Sequence, residues 1–195
     1  ALEQAVALDP RSRVSGHNHS WVLSALGRDV EARAACQRVL DFAPDYDGCL
    51  EALAVSALLR GELDVAAPLL DRLATTMGLG GHAAAKELVE AFAGRGDRDA
   101  LARRLAASDP MGHLVANSGV LLEGFHTPAL LVGLGRNDLA IDFVERIMDT
   151  EGDDAGWALV APELDAIRCD PRIIAVFEGR NARDPRAETL CRGKP

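Results

Sequence analysis

The chain has 195 residues, of which 48% are hydrophobic but only 4% aromatic, and it carries a formal net charge of −9 with an isoelectric point near 5.0. Ala and Leu dominate this composition, which favours helices and supplies enough apolar side chains for a core, so a disordered chain is excluded. The acidic balance argues against nucleic-acid binding, and no apolar stretch approaches the roughly 20 residues that span a bilayer.

The first predicted element is a short helix over residues 1–8, which stops at Asp9-Pro10. It has the pattern of the second helix of a hairpin whose first helix is missing, so we expect the chain to be a piece of a longer protein. The apolar side of this helix (Leu2, Val6 and Leu8) would then lack an upstream neighbour. Uncovered apolar surface of this kind predicts self-association through the N-terminal edge.

The rest of the chain reads as helical hairpins, because apolar residues recur at helical spacing and no run alternates at strand period. Glycine turns at Gly27, Gly61, 94–97 and 133–138 separate the two helices of each hairpin. Asp29 and Asp64 are expected to cap the helices that follow the first two turns. The predicted helices cover 14–26, 29–42, 48–60, 64–77, 82–93, 98–107, 112–132, 139–148, 155–167 and 171–177, with distortion expected at Pro68 and a break near Thr127-Pro128.

The first two hairpins repeat one another at an interval of 34 residues. The positions that share this interval are Pro10 and Pro44, Ser20 and Ala54, Gly27 and Gly61, Ala32 and Ala66, and Arg38 and Arg72. A fixed period of this length is typical of stacked helical hairpins, which cannot bury their apolar faces singly.

Each of these hairpins has a small residue in its first helix, Gly at the turn and Ala-x3-large in its second helix, and the first hairpin then ends at Pro44. This pattern resembles that of the tetratricopeptide repeat family. The resemblance covers residues 1–78 well and 79–150 loosely, and most of the family's aromatic positions are replaced. It implies an all-α, right-handed superhelix of hairpins. The implied repeats are 11–44, 45–78, 79–110 and 111–150, with 1–10 as the end of a truncated repeat.

The C-terminal region carries a second resemblance. Trp157 and the run 162–172 (PELDAIRCDPR) look like a segment that closes such repeats in bacterial multidomain regulators. The resemblance implies capping helices over 151–178, and the basic residues of 179–195 are expected to form a solvated tail.

The sequence shows no recognisable pattern of catalytic or cofactor-binding residues. His17 and His19 are two residues apart on a helix, so their imidazoles should diverge and no metal site is expected. The glycine clusters at 78–81 and 133–135 lack a following Lys-Ser/Thr and fall where turns are due. No serine lies in a nucleophile elbow. We therefore expect no enzyme activity, no cofactor and no metal.

The four cysteines are Cys36, Cys49, Cys169 and Cys191, and none forms a CxxC pair. We interpret them as reduced and structural, which favours the cytoplasm, with the periplasm as the alternative. The sequence leaves a disulfide open but carries no signal for one.

The expected function is a non-catalytic scaffold for protein or peptide binding in a larger bacterial regulatory protein. Two alternatives remain: an accessory domain of an enzyme such as a nucleotide cyclase, and a small-ligand sensor domain of a transcription regulator. Neither nucleic acid nor membrane is an expected partner; a basic or apolar peptide is. Alignment on the turn glycines places the predicted groove at His17, Trp21, Ser24, Glu51, Val55, Leu58, Lys86 and Glu90.

Overall fold

The computed structural model describes residues 2–77, 81–108, 126–151, 161–179 and 185–191, and these residues form helices and turns without a strand. The all-α prediction is therefore confirmed for the described chain. The α-helices are α1 (Leu2–Leu8), α2 (Arg13–Ala25), α3 (Asp29–Phe42), α4 (Asp47–Leu59), α5 (Leu63–Met77), α6 (Gly81–Phe92), α7 (Arg98–Ala106), α8 (Thr127–Gly133), α9 (Asn137–Glu151), α10 (Pro171–Glu178) and α11 (Pro185–Leu190), with a 3₁₀ turn at Pro162–Leu164.

Four turns between successive helices share one backbone conformation. Each contains a glycine in the left-handed region: Gly27 (φ 70°), Gly61 (φ 72°), Gly94 (φ 74°) and Gly135 (φ 78°). The amide after each glycine donates to the carbonyl five residues earlier, for example from Arg28 N to Leu23 O at 2.8 Å. This is the Schellman end of a helix, which satisfies carbonyls that the helix leaves unpaired. The turn glycines predicted from the sequence therefore have the predicted role.

The helix starts differ from the prediction in detail. Asp29 is the first residue of α3 and Arg28 occupies the N-cap position without a side-chain hydrogen bond, while Asp64 lies inside the first turn of α5. These carboxylates still interact favourably with the positive, N-terminal end of the helix dipole. Pro68 lies within α5, which nevertheless runs unbroken from Leu63 to Met77.

The fourth hairpin is described only in part. The predicted helix over 112–132 lies largely outside the described residues, and α8 begins at Thr127 with Pro128 in its first turn, where proline is well tolerated. Trp157 also lies outside the described residues.

Neighbouring helices pack around one continuous core that extends from α3 to α10. Small side chains allow close approach within the hairpins: Ala54, Ala66 and Ala140 are fully buried. In the first hairpin the hydroxyl of Ser20 donates to the carbonyl oxygen of Ala32 at 2.9 Å, which ties α2 to α3.

The C-terminal segment packs onto the repeats. Arg168 is 1% exposed, and its guanidinium donates to Asp165 at 2.9 Å and to the carbonyl oxygen of Ala161 at 2.7 Å. Arg172 joins α10 to α9 through Asp142 and Glu145. A buried arginine needs such partners, so these bonds fix the shape of the segment.

All four cysteines are paired, so the expectation of reduced cysteines was wrong. Cys36 and Cys49 form a disulfide between α3 and α4, with 5.1 Å between their Cα atoms. Cys169 and Cys191 form a second, with 5.4 Å between Cα atoms, which ties the end of α11 to the capping segment. The region 179–195, expected to be a solvated tail, therefore contains a helix and a covalent anchor.

Candidate functional site

The candidate site is an apolar cavity of about 260 Å³ that lies among α2, α3, α4, α8 and the 3₁₀ turn. First helices of three predicted hairpins contribute to it: α2 and α4 both line the cavity, and α8 packs against α4. The apolar lining residues are Trp21, Val22, Ala25, Leu26, Ala32, Ala52, Leu53, Val55, Leu59, Ala129, Ala161 and Leu164. Pockets that are mainly apolar, with a few polar groups, are the usual form of ligand sites.

Trp21 is the largest side chain in the lining, and aromatic neighbours hold it in place. The ring of His17 lies 6.0 Å from that of Trp21, centroid to centroid, and 5.7 Å from that of Tyr46 in an edge-on arrangement. The guanidinium of Arg13 stands 5.6 Å from the Tyr46 ring. Gly48 leaves room for the imidazole, since a Cβ there would approach the His17 ring to 2.8 Å. His17 therefore supports the cavity wall and does not line it.

A buried pair of titratable side chains lies beside the cavity. His126, which lines the cavity, has its Nε2 atom 3.8 Å from Oε1 of Glu51, a residue that is 4% exposed. Burial, with a smaller contribution from nearby His17, lowers the pKa of His126 to about 3. The separation of Nε2 and Oε1 exceeds hydrogen-bond distance, and burial is the larger cause of the lowered pKa. Near neutral pH His126 presents an uncharged imidazole to the cavity.

Charged side chains stand only at the mouth. Asp29 is exposed, whereas Arg33 and Glu163 are partly buried, and all three contribute to the lining. The mouth thus carries both signs of charge, while the interior is apolar.

The eight predicted groove residues have different surroundings. Trp21, Ser24 and Val55 line the cavity, and His17 and Glu51 lie next to it. Leu58 is 1% exposed and belongs to the core. Lys86 and Glu90 lie on α6 and not in this lining; Lys86 is exposed, and Glu90 accepts from Arg95 at 2.7 Å. Whether the groove binds a partner stays a prediction.

Sequence reasoning missed the contributions of α3, α8 and the 3₁₀ turn. Asp29 and Arg33 start a second helix, which the repeat pattern assigns to the opposite side of a hairpin. Ala129 reaches the cavity because α8 packs against α4, and Glu163 reaches it because the 3₁₀ turn packs against α8. Nothing in the sequence predicts such a packing contact between distant segments.

The described residues supply no other obvious chemistry. Within them no three His, Cys, Asp or Glu side chains are grouped so as to hold a metal ion. In the same part of the chain no helix is both long enough and apolar enough to cross a membrane. Comparison of the chain with protein-family models, with curated proteins and with solved structures gave no match.

Proposed function

We propose that the chain is a non-catalytic helical-repeat module, and that its cavity receives an apolar segment of a partner protein or peptide. The observation that carries this proposal is the apolar cavity itself, whose wall includes Trp21 and also Val22 and Leu26, which are 44% and 63% exposed. Amphipathic segments commonly bind by placing apolar side chains in such grooves.

The same proposal includes a right-handed superhelix of the tetratricopeptide type. Its support is the 34-residue interval between Gly27 and Gly61, together with the shared turn geometry at Gly94 and Gly135. Contacts between successive helices from α1 to α7 support the stacking of hairpins. In such a stack the first helices line one side, which is where α2 and α4 meet at the cavity.

An apolar partner suits this site better than a basic one. Glu51 is buried beside His126, and the carboxylate of Glu90 is held by Arg95. Neither carboxylate lines the cavity. These two residues therefore do not support the expected electrostatic preference for a basic partner. The mixed charges at the mouth would orient a peptide more than they would bind it.

The test is a library of random peptides displayed on phage and selected against the immobilised chain. We expect the selected peptides to be rich in apolar residues and to bind Trp21→Ala about thirtyfold more weakly, because truncation of a central aromatic residue costs about 2 kcal/mol or more.

Val65→Ala is the control for that test, since Val65 is 45% exposed on α5 and lies outside the cavity. It should bind the selected peptides like the parent. If folded Trp21→Ala also binds them like the parent, the cavity is not the peptide site.

A second candidate function is the sensing of a small apolar molecule. The cavity volume of about 260 Å³ favours it, because that space is near the lower end of the volumes of small-molecule pockets. A thermal-shift screen of small aromatic compounds tests this candidate. Stabilisation of the parent by a compound that does not stabilise Trp21→Ala would favour the sensor, and competition with the peptides would show that both use one site.

We also propose an oxidising compartment, such as the periplasm, in place of the expected cytoplasm. The support is the pairing of all four cysteines, since disulfides persist mainly in oxidising environments. Mass spectrometry of the chain from its native cells, alkylated without reductant, tests this: free thiols at all four positions would refute it.

A further inference from the structure

A second concave region lies between α3 and α5 and has a volume of about 500 Å³; we call it the α3–α5 groove. The residues that α5 contributes are Val65, Pro68, Leu69 and Arg72, whose intervals of three and four residues place them on one face of the helix. Apolar side chains therefore form part of the lining, and Val65 is 45% exposed. A volume of this size is within the range of ligand-binding clefts.

The charged side chains of this groove are mostly basic. Among the described residues, Arg33, Arg60 and Arg72 contribute three guanidinium groups to the lining, and Glu62 contributes one carboxylate. The Nε and Nη2 atoms of Arg60 donate to Glu62 at 2.8 and 2.6 Å, and these bonds are the main cause of the lowered pKa of Glu62. Arg33 lowers this pKa more weakly and through space. The lining therefore keeps an excess of positive charge, in a chain whose formal net charge is −9.

Two of the three arginines carry this excess. In the described part of the chain Arg33 forms no hydrogen bond or ion pair, although Asp29 precedes it by four residues on α3. Asp29 and Glu163 act through space on Arg60, whose charge is thereby offset further. Arg72 donates from Nη2 to a backbone carbonyl oxygen in the turn between α3 and α4. A guanidinium has five N–H groups, so this bond leaves most of those of Arg72 available to a ligand.

We propose that the α3–α5 groove binds an acidic peptide segment. Its carboxylates pair with Arg33 and Arg72, because a guanidinium can donate two parallel hydrogen bonds to one carboxylate. Its apolar side chains contact Leu53, Val65 and Leu69, which line the groove between the charged groups. A free inorganic anion would leave that apolar part of the lining uncovered, so the combination favours a segment that carries both kinds of side chain.

The groove is a separate site from the apolar cavity, although the two adjoin. Arg33 and Leu53 line both regions, whereas Arg72 lines the groove and not the cavity, and Trp21 lines the cavity and not the groove. The inference does not rest on the proposed function, because the excess positive charge is present whether or not the cavity binds a peptide. Variants of Arg72 and Trp21 can therefore test the two sites separately.

Retention of peptide pools by the immobilised, oxidised chain tests the proposal. One pool contains short peptides randomised over Leu, Val, Ala and Glu, and the matched pool contains Gln in place of Glu. At low salt the parent should retain the Glu pool at least about fivefold more strongly, because its carboxylates meet two unpaired guanidinium groups. Salt at about 0.3 M should remove most of this difference, because it screens exposed charges.

Substitutions in the groove locate the binding site. Arg72→Gln should lower retention of the Glu pool at least about threefold. Arg103→Gln is the matched control, because it removes the same charge at an exposed position on α7 and should leave retention unchanged. The double variant Arg33→Glu with Arg72→Glu should reverse the preference and retain a pool that contains Lys in place of Glu. Circular dichroism confirms that each variant is folded, and loss of stability alone cannot produce a reversed preference.

Several outcomes overturn the proposal. Equal retention of the Glu and Gln pools by the parent does so, as does a folded Arg72→Gln that retains the Glu pool like the parent, or an Arg103→Gln that is equally weakened. Trp21→Ala should retain the Glu pool like the parent even if it no longer binds apolar peptides, so failure of the cavity as a peptide site leaves this result intact. Loss of the Glu pool by Trp21→Ala but not by Arg72→Gln would assign the acidic segment to the cavity.

Discussion

Two histidines near the cavity, His17 and His126, lie in surroundings that disfavour their charged forms. Burial lowers the pKa of His17, against a smaller opposing effect of Asp47, and lowers the pKa of His126 to about 3. Both values are below that of a histidine in the unfolded chain, about 6.5. Below about pH 6.5 the folded state therefore binds fewer protons than the unfolded state. The stability that results is present above pH 6.5 and is lost as the pH falls below it.

His126→Gln should flatten this dependence. As the pH falls from 6.5 to 5, His126 should lower the free energy of unfolding of the parent with a slope that approaches about 1.4 kcal/mol per pH unit, and the variant should lack this share. Urea unfolding at half-unit pH steps measures the slope. Val65→Ala, which changes a non-titrating side chain that is 45% exposed on α5, should leave the slope unchanged. Equal slopes for His126→Gln and the parent would show that His126 is charged in the folded state.

At the residue scale the sequence located three residues of the cavity lining. Trp21, Ser24 and Val55 could be identified because the turn glycines fix the phase of each first helix, and the inward side then follows from helical geometry. Asp29 could not, because it starts a second helix, and Glu163 could not, because its position depends on how the 3₁₀ turn packs against α8. The pairing of the cysteines could not be predicted either, because separations of 13 and 22 residues match no disulfide motif.

At the scale of single elements, the hairpins depend on glycine at one position of each turn. Gly61 has φ 72°, and a Cβ built there would meet no atom within 4 Å. Any effect of a side chain is therefore conformational and not steric. Gly61→Ala should lower the free energy of unfolding by about 1 to 2 kcal/mol, the cost of the left-handed conformation for a residue with a Cβ. Gly61→Asn should cost less, because asparagine tolerates this conformation. Chemical denaturation of the three proteins measures both, and equal stability of Gly61→Ala and the parent would contradict the argument.

The elements themselves were largely predictable up to residue 108. Glycine turns and apolar spacing determine α2 to α7 locally, so the predicted bounds differ from the observed ones by at most one residue. The region after α9 was harder. The residues expected to form one helix over 155–167 include a 3₁₀ turn at 162–164. Its shape depends on the buried Arg168 and on its bond to Ala161, which helical periodicity does not report.

At the scale of the whole molecule, two covalent links lie in different surroundings. Cys36 and Cys49 are both fully buried between α3 and α4, in the same core that extends to α10. Cys169 and Cys191 are only partly buried and lie near the C-terminal end of the chain. Reduction requires a thiolate to reach a disulfide sulfur, so access and not loop length should decide the order of reduction.

We therefore expect a mild thiol reductant at neutral pH to open Cys169–Cys191 while the chain remains folded, and to leave Cys36–Cys49 intact. Alkylation of the released thiols at successive times, followed by peptide mass spectrometry, should label the first pair at least about tenfold faster, because the buried pair reacts only when the chain opens around it. In denaturant the two rates should converge, because unfolding exposes both pairs. The double variant Cys169→Ser with Cys191→Ser provides the control, since it leaves only the buried link and should show no fast phase. Rapid labelling of Cys36 and Cys49 in the folded double variant would mean that α3 and α4 separate without global unfolding.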